Sequence, residues 1–412
     1  MDLSDWLEEH SEGYFWYVKR LSGNDTLANG SHQAGFYLPK PVFYKLFPSL
    51  EKHTHENADT WFDLTIDSHP DHRNVRVIWY NNKHRGGTRD EVRVTNLGGI
   101  QSALLDPEST GALAVFAFPA AEDQDAKQCK VWVCRNHAEE STIERETGPV
   151  EPGRWTTWPP EGGLFAVLQS AVMADCRLAQ HQLPQEWLTK FPTGAEIVRK
   201  VIELRPDSQM AIDKRLLRRR DCEFELFQSL EEAVELPRAQ AGFQTIADFL
   251  AAAQTVLQRR KARSGRSLEL HMREILIEEK FEEGKNFTYQ PKAGNNPDFL
   301  FPNEATYLDD SVPRDQVRML AVKTTLRDRW RQVTEECSDL PSRHLLTLQE
   351  GVSEAQFKLI TQAGIQLVVP DKLIGKYAKS IQPYLSPVGG LLVELRSIQA
   401  TNFRPCLPFA RS

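Results

Sequence analysis

The chain has 412 residues, of which 40% are hydrophobic and 26% charged, and its formal net charge is −7 at pH 7. This length predicts two or three domains with full hydrophobic cores, and it excludes a small scaffold held together by disulfides or zinc. The six cysteines lack the dense spacing of a disulfide framework. The acidic balance argues against a protein that coats nucleic acid nonspecifically.

Two features bear on location. Residues 1–5 carry acid where a signal peptide requires base. The longest apolar-rich run, residues 111–121, is far shorter than the roughly 20 residues of a membrane span. We therefore expect a soluble, cytoplasmic protein with no membrane partner.

The first half of the chain has the sequence pattern of short strands separated by turns. The predicted strands are residues 14–19, 35–38, 75–80, 92–95, 113–118, 130–134 and 164–168. Turn formers such as Asn29-Gly30 and Gly86-Gly87 lie between them. This half is predicted to be a mostly β barrel or sandwich, residues 1–175, followed by a linker of weak periodicity, residues 176–183.

The remainder, residues 184–412, is predicted to be a second domain. Apolar residues recur three or four apart in a helix that starts near Lys214 and in another around Leu268. Two buried strands, a helix and two more strands follow, at residues 299–301, 319–322, 326–337, 344–348 and 365–369. This order favours an α/β domain with a central mixed sheet, and hence an α+β protein overall.

Four residues of the second domain form a chemically informative series. Asp298 opens a short buried strand and Lys323 ends another, so that the two can meet at one edge of a sheet. Glu336 follows on the next predicted helix, and Glu269 precedes on an earlier one. Carboxylates bind hard divalent cations, and a lysine beside them can contact a water molecule or a phosphate. Each residue taken alone is more often an ordinary surface side chain, but their order is typical of metal-dependent nucleases.

Arg327, Asp328 and Arg329 come directly after this lysine. Arginine can donate two hydrogen bonds to guanine, and a carboxylate can accept one from cytosine, so the cluster suits the reading of G·C pairs. Charge pairing on an exposed helix is the alternative. Residues 214–220, 259–266 and 323–331 are locally basic, which favours DNA contact despite the net negative charge.

The chain resembles the EcoRII-type restriction endonucleases, within the Pro-Asp…Lys nuclease superfamily. The similarity is carried in order by residues 17–22, 24–26, 106–113, 261–271, 297–302, 319–325, 327–332 and 347–353. The resemblance implies an N-terminal β pseudobarrel that binds effector DNA and a C-terminal restriction-nuclease domain. It also implies a type IIE enzyme that cleaves double-stranded DNA at a CCWGG-like site and leaves 5′-phosphate ends.

The resemblance further implies a homodimer, magnesium as cofactor, several copies of the DNA site as partners and a cognate cytosine methyltransferase. Asp298 and Glu336 would hold the metal, Glu269 would support them, and Lys323 would orient the water. Arg327, Asp328 and Arg329 would then read the bases. The N-terminal domain would cover the catalytic cleft until effector DNA binds.

Two further sets of residues follow from the same resemblance. Arg220 and Phe224 match a pocket for bases flipped out of the duplex, although a basic helix start with a core phenylalanine is an equally good interpretation. His32, Tyr37, Arg89, Glu91 and Arg93 match the effector-DNA surface. Gly87 and Val92 stand where basic residues are expected, which predicts weaker effector binding.

Other interpretations remain open from the sequence. A non-cleaving DNA-binding regulator derived from a nuclease would keep the β domain and use the second only to dimerise. A nuclease of the same fold could have another GC-rich target or a methylated one. Tyr307 offers a recombinase-like nucleophile, but no His-x-x-Arg element accompanies it.

Overall fold

A computed structural model describes residues 2–30, 35–50, 57–87, 90–120, 124–158 and 175–402. Within these residues the chain forms two sheets, one in each half. No helix in the described ranges is long and apolar enough to cross a membrane.

The first sheet has eight strands in the order β2-β5-β4-β3-β7-β6-β1-β8. It is antiparallel except where β3 runs parallel to β7. The elements of this half are α1 (Leu3–Glu9), β1 (Tyr14–Arg20), β2 (Phe36–Tyr37), α2 (Lys40–Leu46), β3 (Asp59–Ile66), β4 (Asp71–Tyr80), β5 (Glu91–Thr95), β6 (Leu113–Pro119), β7 (Gln128–Val133), α3 (His137–Thr147) and β8 (Trp155–Trp158).

Both faces of the first sheet are covered, which explains why β6 is apolar at nearly every position. Phe116 on one face packs into a core that includes α2, whereas Val115 on the other packs beside Trp6 of α1 and Ile143 of α3. Strand β3 was not predicted, because aspartate and threonine residues interrupt its pattern. The predicted strand 164–168 lies outside the described residues.

The second sheet has the order β13-β12-β11-β10-β9. Strands β11, β12 and β13 are parallel, whereas β9, β10 and β11 are antiparallel. The elements are α4 (Gln185–Thr189), α5 (Gly194–Leu204), α6 (Ile212–Ala241), α7 (Ile246–Glu278), β9 (Thr288–Tyr289), β10 (Phe299–Phe301), α8 (Glu304–Leu308), β11 (Arg318–Val322), α9 (Arg329–Val333), β12 (Arg343–Leu346), α10 (Glu354–Gln362), β13 (Ile365–Val368), α11 (Asp371–Ile374) and α12 (Val388–Asn402).

The mixed second sheet lies between two apolar cores. Leu300 and Leu345 point into one, and Phe299 and Leu346 point into the other, which also contains residues of α7 and α12. The predicted α+β architecture, a β domain followed by an α/β domain with a mixed sheet, is confirmed.

One predicted helix is shorter than expected. The apolar pattern of residues 326–337 predicted a helix throughout, but α9 ends at Val333 and turns follow. Cys337 has a positive φ of 42° and donates its backbone N–H to the carbonyl of Gly294, so the helical hydrogen-bond ladder stops. Glu336 therefore lies in a turn.

The segment predicted as the linker packs against the second domain. Cys176 forms a disulfide with Cys222 of α6, a pairing that the cysteine spacing did not indicate. Leu183 is buried in the same apolar cluster as Trp187 and Leu226. The predicted domain bounds, 1–175 and 184–412 around 176–183, remain a prediction.

Candidate active site

Asp298 and Lys323 meet at one end of the second sheet. Asp298 precedes β10 and Lys323 follows β11, and the antiparallel pairing of Phe299 with Leu320 puts these ends side by side. The Oδ2 atom of Asp298 accepts the backbone N–H of Val322 at 2.6 Å and lies 3.2 Å from Nζ of Lys323. The main chain of one strand thus fixes the carboxylate that the other strand presents.

Glu336 completes a group of opposite charges around this lysine. Its Oε1 lies 3.9 Å from Nζ of Lys323. Burial raises the pKa of Glu336 to about 7, and the charges of Asp298 and Glu269 add to the rise while Lys323 opposes it. Its Oε2 is buried and has no hydrogen-bond partner among the described residues.

Glu269 approaches the group from α7. Its Oε2 accepts hydrogen bonds from the hydroxyl of Tyr289 and from Nε2 of Gln290, each at 3.3 Å. Burial and the nearby charge of Asp298 raise its pKa. The structure therefore brings all four residues of the series to one place.

The sequence did not point to Tyr289 and Gln290. Strand β9 has two residues, too few for a recognisable pattern, and it pairs with β10 so that Gln290 lies beside Asp298. The backbone N–H of Gln290 donates to the carbonyl of Asp298 at 2.9 Å. Had residues 288–301 been interpreted as a hairpin of two short strands, Tyr289 and Gln290 would have been predicted to lie beside Asp298.

These side chains fit a hard divalent cation. Their donors are carboxylate oxygens, one of them buried without a partner among the described residues, and the charge of Asp298 helps to raise the pKa of Glu336 and of Glu269. Among the described residues no group of three His, Cys, Asp or Glu side chains is arranged to hold a metal. A cation bound here by two carboxylates would take its remaining ligands from water or substrate.

The three predicted base-reading residues lie at the boundary with the first domain. Arg327 donates to the carbonyls of Cys134 and Arg135 at 2.7 and 2.9 Å, and its Nη1 lies 3.2 Å from Glu140 of α3. Arg329 lies 3.4 Å from His137 of α3, whereas Asp328 is half exposed. Two of the three are thus bound by the N-terminal domain.

Arg220 and Phe224 lie on one face of α6 and are also buried at this boundary. Arg220 pairs with Glu151 of the first domain at 2.7 Å. The Phe224 ring lies between two guanidinium groups, that of Arg154 at 4.1 Å and that of Arg263 at 5.1 Å. First-domain side chains thus contact both residues.

The described effector-site residues come together on β2 and β5. Tyr37 pairs with Arg93 across these strands and is 39% exposed, and Arg93 forms an ion pair with Glu91 at 2.7 Å. His32 and Arg89 lie outside the described residues.

The expectation for Val92 is corrected. This side chain points into the core and is fully buried, so a basic residue at position 92 could not reach DNA, whereas Gly87 is exposed. The valine therefore gives no reason to expect a lost phosphate contact.

Tyr307 lies in a separate hydrogen-bonded setting. Its hydroxyl donates to Oδ1 of Asp339 at 2.7 Å, and burial raises its pKa well above the ordinary value. A hydroxyl held in this way is a poor nucleophile.

Comparison with known proteins decides the family. The profile for "Restriction endonuclease EcoRII, N-terminal" matches residues 10–162, and that for "EcoRII C terminal" matches residues 227–392. The chain is 39% identical over 407 residues to the type II restriction enzyme EcoRII of Escherichia coli, covering 96% of this chain and 98% of that protein. The chain belongs to the EcoRII family.

Other comparisons are partial. The type II restriction enzyme SsoII of Shigella sonnei is 25% identical over 119 residues, which is 27% of this chain and 38% of SsoII. The structure of metal-depleted Ecl18kI with uncleaved, modified DNA gives a TM-score of 0.44 at 15% identity, over 54% of this chain and 83% of that one. The UbaLAI B3 domain with cognate DNA gives 0.28 at 17% identity, over 38% and 97%.

We expect Glu336→Gln to stabilise the metal-free protein in a pH-dependent way. The carboxyl pKa is about 7 in the fold against an ordinary 4.5, so ionisation of Glu336 costs folding energy. The cost is absent below pH 4.5, grows up to pH 7 and is constant above it. At pH 8 the gain should reach up to ~3 kcal/mol, reduced where water screens the site.

Urea unfolding at pH 8 and pH 4 measures this gain. Glu335→Gln is the matched control, since that side chain is exposed and adjacent in sequence. An equal effect of Glu336→Gln at both pH values would show that Glu336 does not titrate as described.

Proposed function

We propose that this chain is a magnesium-dependent type II endonuclease that cuts double-stranded DNA at a CCWGG-like site and leaves 5′-phosphate ends. The observation that carries the proposal is the group Asp298, Lys323 and Glu336 at one end of a mixed sheet, in a chain of the EcoRII family. A non-cleaving regulator would have no need of paired, crowded carboxylates.

Each residue of this group has a distinct role in the proposal. Asp298 and Glu336 would hold a magnesium ion. When bound, the ion would supply positive charge that stabilises the negative charge on the phosphate group under attack. Lys323 keeps its ammonium group between the two carboxylates, where it can orient a water molecule and stabilise charge on the phosphate oxygens. Tyr289 and Gln290 keep Glu269 in place beside them.

We predict that Lys323→Ala lowers the rate of DNA cleavage by a factor of roughly 10² or more, because it removes the cation that faces the phosphate. Specific DNA binding should remain. The measurements are digestion of a plasmid with several CCWGG sites in magnesium and a gel-shift assay in calcium. Lys285→Ala, a change at an exposed lysine, is the control. A fully active Lys323→Ala variant would contradict the role of the lysine.

We propose that the first domain inhibits the second and that effector DNA relieves the inhibition. In support, Arg327 and Arg220, proposed to contact the substrate, bind Glu140 and Glu151 of the first domain. DNA can use these arginines only after those contacts break. The effector site would be the surface of His32, Tyr37, Arg89, Glu91 and Arg93.

The double change Glu140→Gln and Glu151→Gln should speed cleavage of DNA that carries a single site by about tenfold or more. Glu151→Gln leaves Arg220 and Arg263 without their counter-ion. Glu140→Gln removes the counter-ion of Arg327 and one of the two that Arg20 has within the first domain. Together these losses should destabilise the closed arrangement by roughly 3 kcal/mol. The measurement is the single-turnover rate on one-site and two-site plasmids, with thermal unfolding to verify folding.

Glu139→Gln is the matched control for this change. Glu139 lies on the same helix but binds Arg135 and Trp132 within the first domain. An unchanged preference for two-site plasmids in the double variant would argue against inhibition through these contacts.

The proposal includes two copies of the chain. DNA has two strands, and the described residues of one chain contain one such catalytic group, that of Asp298, Lys323 and Glu336. A homodimer would supply one group for each strand. The cognate cytosine methyltransferase and the cytoplasmic location remain predictions from the family resemblance.

A further inference from the structure

The loop of residues 292–296, directly before Pro297 and Asp298, has a backbone that few residues adopt. Gly294, Asn295 and Asn296 have positive φ values of 68°, 60° and 55°, so three consecutive residues lie in the left-handed region. Glycine and asparagine enter this region at the lowest cost, but a run of three is unusual. Backbone geometry of this kind persists only where surrounding contacts hold it, and it is common beside functional sites.

Both ends of the 292–296 loop are anchored within the second domain. At its beginning, Oε1 of Glu304 in α8 accepts the backbone N–H groups of Lys292 and Ala293, at 2.8 and 2.7 Å. Beyond its end, the carbonyl of Asp298 accepts the N–H of Gln290 at 2.9 Å. The residues between these anchors are therefore held in a fixed place beside the active site.

The loop is bonded to the main chain on both sides of Glu336. The Nδ2 atom of Asn295 donates to the carbonyl of Glu335 at 2.8 Å. The backbone N–H of Cys337 donates to the carbonyl of Gly294 at 3.0 Å. Gly294 approaches so closely that a Cβ atom at its position would overlap the Sγ atom of Cys337. The two neighbours of Glu336 are thus attached to one loop that lies about 40 residues earlier in the chain.

These bonds matter because the carboxylate of Glu336 has no hydrogen bond of its own to a described residue. Its Oε2 is buried without a partner among those residues, and its Oε1 lies 3.9 Å from Nζ of Lys323. The carboxylate of Asp298, in contrast, is fixed by the N–H of Val322. The direction in which Glu336 points therefore depends on the main chain of its turn.

We propose that Asn295 is a positioning residue for the metal site, whose side-chain amide fixes the turn of residues 335–337 so that Glu336 faces Asp298 and Lys323. Asn295 acts through this turn and does not contact the cation. The inference rests on the proposed function, because it concerns the metal that this function requires. Loss of a group that orients a metal ligand typically weakens metal binding by roughly 10- to 100-fold.

The matched pair Asn295→Gly and Asn296→Gly tests this role in the full-length protein. Glycine accepts the left-handed φ at both positions and both side chains are exposed, but of the two only Asn295 donates a side-chain hydrogen bond to a described residue. The probe is Mn²⁺, which binds the same carboxylate and water oxygens as Mg²⁺. Its Kd without DNA is measured from the electron paramagnetic resonance signal of the free ion. Asn295→Gly should raise this Kd roughly tenfold or more, and Asn296→Gly less than about twofold.

Cleavage kinetics separate positioning from a general loss of structure. In Asn295→Gly the Mg²⁺ concentration for half-maximal cleavage should also rise roughly tenfold. The rate at saturating Mg²⁺ and the melting temperature without metal should stay as in wild type, since the site assembles once the ion is bound. A residue with a merely structural role would lower the saturated rate and the melting temperature together.

A second pair tests the beginning of the loop and decides the question should Asn295→Gly lower the melting temperature. Glu304→Ala removes the acceptor of two backbone N–H groups, whereas Glu304→Gln keeps an oxygen acceptor and removes only the charge. We expect weaker Mn²⁺ binding in Glu304→Ala and recovery in Glu304→Gln. Equal weakening in both variants would attribute the effect to the carboxylate charge and contradict the inference.

The outcomes separate this inference from the proposed function. Equal Mn²⁺ affinity in wild type, Asn295→Gly and Asn296→Gly overturns the inference even where the wild type cuts DNA. Equal weakening by the two glycine variants also overturns it, because the lost hydrogen bond is then not the cause. A wild type whose Mn²⁺ affinity falls in Asn295→Gly alone, but that cuts no DNA, supports the inference and contradicts the proposed function.

Discussion

The arrangement of the two domains depends on a buried carboxylate, that of Glu151. It is 5% exposed and pairs with Arg220 at 2.7 Å and Arg263 at 3.0 Å, while Arg154 lies beside it. Burial disfavours its charge, but the arginines outweigh burial and hold the pKa of Glu151 well below its ordinary value. Because an unpaired buried charge is costly, each of these groups requires the others. The N-terminal domain is thereby fixed against the face of α6 and α7 that carries Phe224.

The active site shows the opposite balance of charge. There the ammonium group of Lys323 lies among carboxylates, and burial together with the charge of Asp298 raises the pKa of Glu336 and of Glu269. With a pKa of about 7, Glu336 is protonated in about half of the molecules at pH 7, and it has an oxygen without a partner among the described residues. At the domain boundary the arginines thus outweigh the cost of burying the charge of Glu151 in the free protein, whereas the active site has room for additional positive charge. This difference is what a site that binds a cation together with its substrate requires.

The parts of this arrangement that could be predicted from the sequence are those encoded locally. Asp298 and Lys323 flank short apolar strands, so their meeting follows from strand pairing. Glu336 was predicted on a helix and lies in a turn, because a hydrogen bond from Cys337 to Gly294, distant in sequence, ends α9. Gln290 follows a two-residue strand that has no periodicity to detect. The disulfide of Cys176 could not be predicted either, because it joins residues that tertiary packing, and no local pattern, brings together.

The locally basic stretches have a different meaning in the structure than in the sequence. Most of their arginines are paired within the protein: Arg215 and Arg219 with Glu278 and Glu279, Arg260 with Glu231, Arg263 with Glu151, and Arg327 with Glu140. The acidic residues that make the net charge negative despite these basic stretches therefore include the residues that pair with them in the structure.

Two kinds of pair must be distinguished among them. Arg260 and Glu231 both belong to the second domain and stay together whatever the first domain does. The pairs of Arg220 and Arg263 with Glu151 and of Arg327 with Glu140 cross between the domains, and these are lost if the domains separate. Separation therefore exposes arginines beside the active site and glutamates on the departing domain. DNA phosphates attract the first and repel the second, so binding of substrate DNA and separation of the domains favour one another through the same charges.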